Sequence, residues 1–241
     1  MNSFLLLLSV LVLTSLSLLV WSSSDDTLTF GRFGPVTLYR DRQLPSHVIL
    51  FVSGDEGWNQ TALTSARALA SADALVVGND LPNYLKTLNA AEETCSYPGG
   101  DFDALSKFVQ QTYGFPAYVP PVLVGVAAGA TFAYATVAQA PPDLFQGAIT
   151  LGFCPELTVK KPLCEWNSLK WQSQPQGDRF QLFPGTALSA PWIALHGDQD
   201  HVCSAPTVEA FAARVNHGTY MLTPLVGHDF SAPNLWLPQF K

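Results

Sequence analysis

The sequence predicts an α/β fold, a mostly parallel sheet with helices on both faces, and three observations carry that expectation. Short apolar runs alternate with helical patterns along most of the chain. One such run, Val122-Leu123-Val124, enters Gly125-Val126-Ala127-Ala128-Gly129 and then an alanine-rich stretch reaching Tyr134, which reads as buried strand, sharp turn and helix. Two later strands end in His196-Gly197-Asp198-Gln199-Asp200 and in Val226-Gly227-His228.

Taken in order, Phe4 to Trp21 is an almost unbroken apolar run without charge at the N-terminus, read as an export segment: residues 1–24 form a signal peptide or a membrane anchor. Leu28 to Gly34 and Pro35 to Arg40 read as an opening hairpin around Gly-Pro, and Val48 to Ser53 as the next strand, running into Gly54-Asp55-Glu56-Gly57-Trp58-Asn59. Thr61 to Ala72 reads as a helix, Ala74 to Gly78 as a strand and Asp103 to Tyr113 as a helix before the Pro-Pro that leads into the central strand. Beyond it lie strands at Ala148 to Phe153, Trp192 to His196 and Tyr220 to Leu225, with a helix at Val208 to Val215. Pro155 to Pro191 breaks the rhythm. Its aromatics argue against disorder, so residues 155–191 are expected to form a cap-like excursion at the sheet's C-terminal edge, within one domain spanning 25–241. Lys160, Lys161, Lys170 and Arg179 in that stretch suit either an anionic headgroup or a solvated surface.

Composition excludes some partners. Of 241 residues 48% are hydrophobic, and 12 basic against 19 acidic side chains leave a net charge of -7, so no nucleic acid is expected. Four cysteines, Cys95, Cys154, Cys164 and Cys203, follow the export segment. An even count in an exported chain points to disulfides, with three connectivities open.

The central stretch has the layout of the nucleophile elbow of α/β-hydrolases, Gly-x-Ser-x-Gly, in which the serine sits on a strained turn and Gly125 and Gly129 leave room for the strand-to-helix approach. Here Ala127 stands in the serine's place, and a methyl group cannot attack a carbonyl. The candidate oxyanion hole is built from the loop at Gly54 and Asp55 together with the N–H of Ala128. Asp200 and His228, each after a strand, complete the order nucleophile position, acid, histidine. A metal reading of His196, Asp198, Asp200, His201 and Cys203 lacks partners at an established ligand spacing, and no metal or cofactor is called for.

Asp26 to Gly31, Phe51 to Asp55 with Gly57-Trp58-Asn59, Leu123-Val124-Gly125 with Gly129-Ala130-Thr131, Leu151 to Pro155, and Gly227-His228 together resemble the VirJ/AcvB family. These are bacterial exported, virulence-associated proteins of the α/β-hydrolase superfamily, and the similarity is to the amino-terminal hydrolase-like domain. The resemblance implies a periplasmic protein. It also implies a setting in which AcvB-type members hydrolyse the aminoacyl ester of lysyl-phosphatidylglycerol and VirJ is associated with type IV secretion. The chain departs from the family in having Ala127 for the elbow serine and in ending after one hydrolase-like domain.

The expectation is therefore an exported hydrolase-fold protein in the periplasm, held by residues 4–21 or released from them. It would act as a non-catalytic module for a lipid or acyl-ester ligand, or for an envelope or secretion-system protein. The alternative is a serine esterase for an aminoacyl ester in which Ala127 is an engineered or secondary replacement, or in which Ser53 supplies the oxygen.

Overall fold

The computed structural model describes residues 25–175 and 177–240, so the expected export segment, residues 1–24, lies outside the described residues. The chain opens with β1 (Asp26–Phe30) and β2 (Gly34–Tyr39), then β3 (His47–Val52), α1 (Gln60–Ala70), β4 (Ala74–Asn79), α2 (Leu81–Ala90) and α3 (Pro98–Thr112). The central unit is β5 (Val122–Val126) followed by α4 (Ala128–Gln139). After β6 (Gly147–Leu151) come three short strands, β7 (Glu156–Thr158), β8 (Trp171–Ser173) and β9 (Arg179–Leu182). The chain closes with β10 (Trp192–Gly197), α5 (Ala205–Ala212), β11 (Gly218–Thr223) and α6 (Pro233–Trp236).

Eight strands form one sheet in the order β1-β2-β4-β3-β5-β6-β10-β11. Strand β2 runs antiparallel to both neighbours, and from β4 to β11 every pair is parallel. The central strands read as unbroken apolar runs because both of their faces are buried. Along β3, Leu50 and Val52 join the core shared with α2, α3, α4 and α5, while Ile49 and Phe51 join the core shared with α1 and α6. The register aligns Val52 with Gly125, Val126 with Leu151 and Gly197 with Thr223, so the loops after β3, β5, β6, β10 and β11 leave the sheet along one edge.

Three local features differ from the sequence expectation. The opening hairpin is interrupted by a 3-10 turn, Gly31–Phe33, because Gly31 and Gly34 both take positive φ, 45° and 66°. Helix α2 is an element to which the sequence reading gave no assignment. Asp80 caps it by accepting from the Asn83 N–H at 2.8 Å, and Pro82 sits in its first turn, where no N–H is needed. Helix α3 begins at Pro98 rather than Asp103, because Gly99 and Gly100 pack under the Tyr97 ring instead of making a turn.

The excursion over 155–191 is folded, as a three-stranded antiparallel sheet in the order β7-β9-β8. It packs along α4 rather than over the end of β5. Ser168 N–H donates to the Ala138 carbonyl at 3.0 Å, Asn167 Nδ2 to the Gln139 carbonyl at 2.6 Å, and Gly185 N–H to Tyr134 Oη at 2.9 Å. Only Glu156 to Val159 approach the edge where the candidate site lies. Two of the four basic side chains have partners: Arg179 pairs with Glu156 at 3.4 Å, and Lys161 donates to the Ala91 carbonyl.

Two disulfides, Cys95–Cys164 and Cys154–Cys203, resolve the open connectivity. They fit an oxidising, extracellular or periplasmic setting. No helix among the described residues is long and apolar enough to cross a membrane.

Candidate active site

Ala127 occupies the turn between β5 and α4 with φ 51° and ψ -120°, a conformation that L-residues rarely adopt. Packing imposes it. A Cβ on Gly125 would fall 2.1 Å from the Gly129 carbonyl oxygen, and one on Gly129 would fall 2.2 Å from that of Ser53, so strand, helix and neighbouring loop meet backbone to backbone. The Ala127 N–H continues the sheet by donating to the Leu151 carbonyl at 2.8 Å. Its methyl group lines a cavity of about 260 Å³ together with Gly54, Asp55, Glu56, Asn59 and His228.

The loop after β3 is fixed from three sides. Gly57 N–H donates to the Gly54 carbonyl at 3.1 Å, Trp58 N–H to Asp80 Oδ2 at 2.8 Å, and Trp58 Nε1–H to Tyr39 Oη at 3.1 Å. Asn59, the first residue of the Asn-Gln-Thr tripeptide, is the N-cap of α1, accepting from Ala62 N–H at 3.0 Å and donating to Glu56 Oε2 at 3.0 Å. Among the described residues no acceptor engages the N–H of Asp55 or of Ala128, the latter in the first turn of α4. Both residues line the elbow cavity or the groove beside it, the arrangement an oxyanion hole requires.

Ser53 is not a second nucleophile. It is fully buried, its Oγ accepts from the Leu81 N–H at 3.0 Å, and its hydroxyl donates to the Gly54 carbonyl at 3.2 Å, so it anchors the start of α2.

Across the cavity His228 Nδ1 lies 2.8 Å from Asp200 Oδ2. The other carboxylate oxygen, Oδ1, accepts from the N–H groups of Val202 at 2.8 Å and Cys203 at 3.0 Å. Burial pushes the Asp200 carboxyl up, but the hydrogen bonds from His228 and from these two N–H groups outweigh it and hold it below the usual carboxylate range. An ionised Asp200 takes the Nδ1 proton as its hydrogen bond and leaves the His228 Nε2 lone pair free, the tautomer a general base needs. The structure therefore brings Ala127 and His228 to one cavity, with Asp200 buried behind the imidazole.

Sequence reasoning gave Gly152 and His196 no part in shaping this pair. Gly152, with φ 72°, lies against the His228 backbone, where a Cβ would meet its carbonyl oxygen at 2.3 Å. A glycine directly after a β-branched strand was the available signal. His196, fully buried, points Nε2 at the Cys203 carbonyl at 3.0 Å; a carbonyl only accepts, so Nε2 carries the proton and Nδ1 has no partner. Burial holds its basicity below the ordinary histidine value, against the pull of Asp200. The disulfide-bonded Cys203 is not free to ligate a cation, which removes one member of the metal reading.

A second groove, about 370 Å³, opens on the other side of Asp55 and Ala128. Its walls are Leu81, Pro82, Leu85, Phe132, Leu157 and Val159. Asp55 and Glu156 also line this groove, and the elbow cavity is lined by Asp55, Glu56 and Asp229 with no lysine or arginine, which disfavours an anionic group there.

The fold is that of the α/β-hydrolases. The chain is similar to an α/β serine hydrolase homologue from Coxiella burnetii (16% identity, TM-score 0.58, covering 92% of this chain and 96% of that one). It is also similar to a dienelactone hydrolase from Anabaena variabilis (13%, 0.58, 91% and 93%) and to the esterase domain of a Rhodothermus marinus protein (16%, 0.54, 88% and 92%). No family model matches the chain, and no curated protein matches it in sequence.

Proposed function

We propose that this chain is an exported hydrolase-fold protein that binds an ester or acyl ligand at the elbow without cleaving it. The observation that carries the reading is the methyl group of Ala127, held at φ 51° where a serine oxygen would face His228. Without the nucleophile, a triad retains only about a thousand to ten thousand-fold over water, far below an ordinary enzyme. The apolar groove beside Ala128 suits a hydrocarbon limb, and the elbow cavity suits a neutral or cationic one. The sequence motifs shared with the VirJ/AcvB family support a periplasmic location and an aminoacyl or lipid ester as ligand, in an envelope or secretion context.

One observation favours a second reading. The intact Asp200–His228 pair, 2.8 Å apart, is what an esterase would keep if Ala127 were a secondary replacement of its serine. A single substitution separates the two. Under the esterase reading, Ala127→Ser restores covalent labelling by a serine-directed phosphonate and turnover of aminoacyl esters. Under the binding reading, the substituted protein is labelled slowly or not at all, while the unmodified chain binds an intact ester. Robust turnover by the unmodified chain that survives Ser53→Ala would overturn both.

A further inference from the structure

The segment that follows β6 is tied to the elbow helix, to His228 and to the acid turn. Gly152 lies under His228, its backbone close enough that a Cβ would come 3.3 Å from Nδ1. Two residues on, Cys154 exchanges hydrogen bonds with Thr131 of the elbow helix: Thr131 Oγ1 donates to the Cys154 carbonyl at 2.8 Å and accepts from its N–H at 3.3 Å. The Cys154 sulfur is bonded to Cys203. Cys203 closes the acid turn, its N–H donating to Asp200 Oδ1 at 3.0 Å and its carbonyl accepting from His196 at 3.0 Å. A continuous path therefore runs from the elbow helix through Thr131, Cys154 and the disulfide to the carboxylate that orients His228.

We propose that the Cys154–Cys203 disulfide is a positioning clasp for the Asp200–His228 pair, so that the readiness of this site depends on the oxidation state of that bond. The proposal rests on reading Asp200 and His228 as the acid and base of the site. The acid turn is bonded to the loop after β11, by the Gln199 N–H to the Val226 carbonyl at 3.0 Å and the Leu225 N–H to Asp198 Oδ1 at 2.7 Å, whereas its link to α4 runs through Cys203, Cys154 and Thr131. His201 and Val202 are exposed, Val202 at 68%, and the carboxylate's remaining partner, the Val202 N–H, belongs to the same turn. Both sulfurs belong to half-buried residues, whereas Cys164 of the other disulfide is buried. Opening the clasp takes an external dithiol. One thiolate attacks a sulfur and releases the other as a thiolate. The second thiol then displaces the mixed disulfide, leaving two protein thiols and an oxidised, cyclic reductant.

The test begins in the full-length chain with Ala127 in place. The Nδ1 proton of His228, hydrogen-bonded to a carboxylate, gives a low-field imidazole resonance, identified by its disappearance in His228→Gln. In the Cys154→Ala/Cys203→Ala variant this resonance shifts or is lost, whereas in Cys95→Ala/Cys164→Ala it stays. Thr131→Val, which removes the hydroxyl that holds Cys154, moves it in the same direction, and Thr131→Ser, which keeps the hydroxyl, does not. If the Ala127→Ser protein is labelled by the phosphonate, labelling falls on the order of tenfold or more when the clasp is removed, as for misplaced catalytic groups. It changes by less than about twofold when the other disulfide is removed.

An unchanged resonance in folded Cys154→Ala/Cys203→Ala protein overturns the proposal. If that variant does not fold, an unchanged resonance in Thr131→Val overturns it instead. If Ala127→Ser is never labelled with both disulfides closed, yet the resonance still follows the clasp, the esterase reading fails and the clasp stands.

Discussion

At the end of β5 the chain holds Ala127 at positive φ, and main-chain packing keeps it there: Gly125 against Gly129, and Gly129 against the Ser53 carbonyl. At the ends of β10 and β11 a side-chain carboxylate with no exposed surface is held by an imidazole and two N–H groups of its own turn. Both arrangements cost stability by themselves, on the order of 1–3 kcal/mol for the backbone outlier and several for the desolvated charge before its hydrogen bonds are counted. They differ in what sustains them. The elbow does not depend on the side chain at 127, so the same backbone would hold alanine or serine there. The acid–histidine pair depends on every one of its polar partners. A fold can therefore keep the shape of an active site after losing its chemistry more readily than it can keep an ionised pair that nothing supports.

The largest effect expected from this contrast is at Gly129. Gly129→Ala drives a Cβ to 2.2 Å from the Ser53 carbonyl oxygen, a collision between main chains that no rotamer relieves. It should cost at least about 3 kcal/mol in denaturant unfolding or abolish folding. A folded variant within about 1 kcal/mol of the parent would break the claim that packing dictates the elbow.

Next comes Asp200→Asn, expected to lower stability at pH 7 by about 2 kcal/mol because the site loses its charge-assisted hydrogen bonds. The pH dependence has a definite sign. The folded carboxyl lies below its ordinary value of 3.8, so its contribution is full above that pH and is lost as pH falls through the folded pKa. Unfolding curves of parent and variant should separate above that value and converge in acid. A gap that widened in acid would contradict the hydrogen-bond account.

A smaller effect is expected for Ser53→Ala. It removes the acceptor for the Leu81 N–H and should cost about 1 kcal/mol by thermal or chemical unfolding. Phosphonate labelling of an Ala127→Ser protein should be unaffected by it. Smallest is Ala127→Gly, which relieves the positive φ and should raise stability by about 1 kcal/mol or less, the reverse of the usual glycine penalty. A loss of stability there would mean that the methyl group contributes packing beyond what the turn withholds.

Much of this was legible in the sequence, for identifiable reasons. The strands from Val48 to Val126 are buried on both faces and show as apolar runs, and the elbow shows through two glycines with a fixed spacing. Asp200 and His228 could be singled out because each follows a strand that reaches the same edge. Helix α2 stayed hidden because Pro82 reads as a break unless Asp80 is recognised as its cap. The strands of the excursion, β7 to β9, are only 3 or 4 residues long, too short for alternation to register. Its placement along α4 follows from long-range bonds of Tyr134, Ala138 and Gln139 that no local pattern encodes. The role of Thr131 was invisible for the same reason, since its partner Cys154 lies 23 positions away.

The two disulfides interleave: in chain order the first cysteine bonds the third and the second bonds the fourth. During synthesis from the N-terminus, the first two thiols to appear, Cys95 and Cys154, are not partners, and neither are the next neighbours, Cys154 and Cys164. A bond made as soon as two thiols meet is therefore a wrong one. It must be exchanged once Cys203, near the end of the chain, has arrived and the sheet edge has assembled. Closing loops with separations of 69 and 49 residues stabilises the finished protein by roughly 4 kcal/mol each. The yield of correctly bonded chain should accordingly rise with a thiol–disulfide exchange catalyst present during folding, and fall with an oxidant that closes bonds faster than β10 can dock on β6.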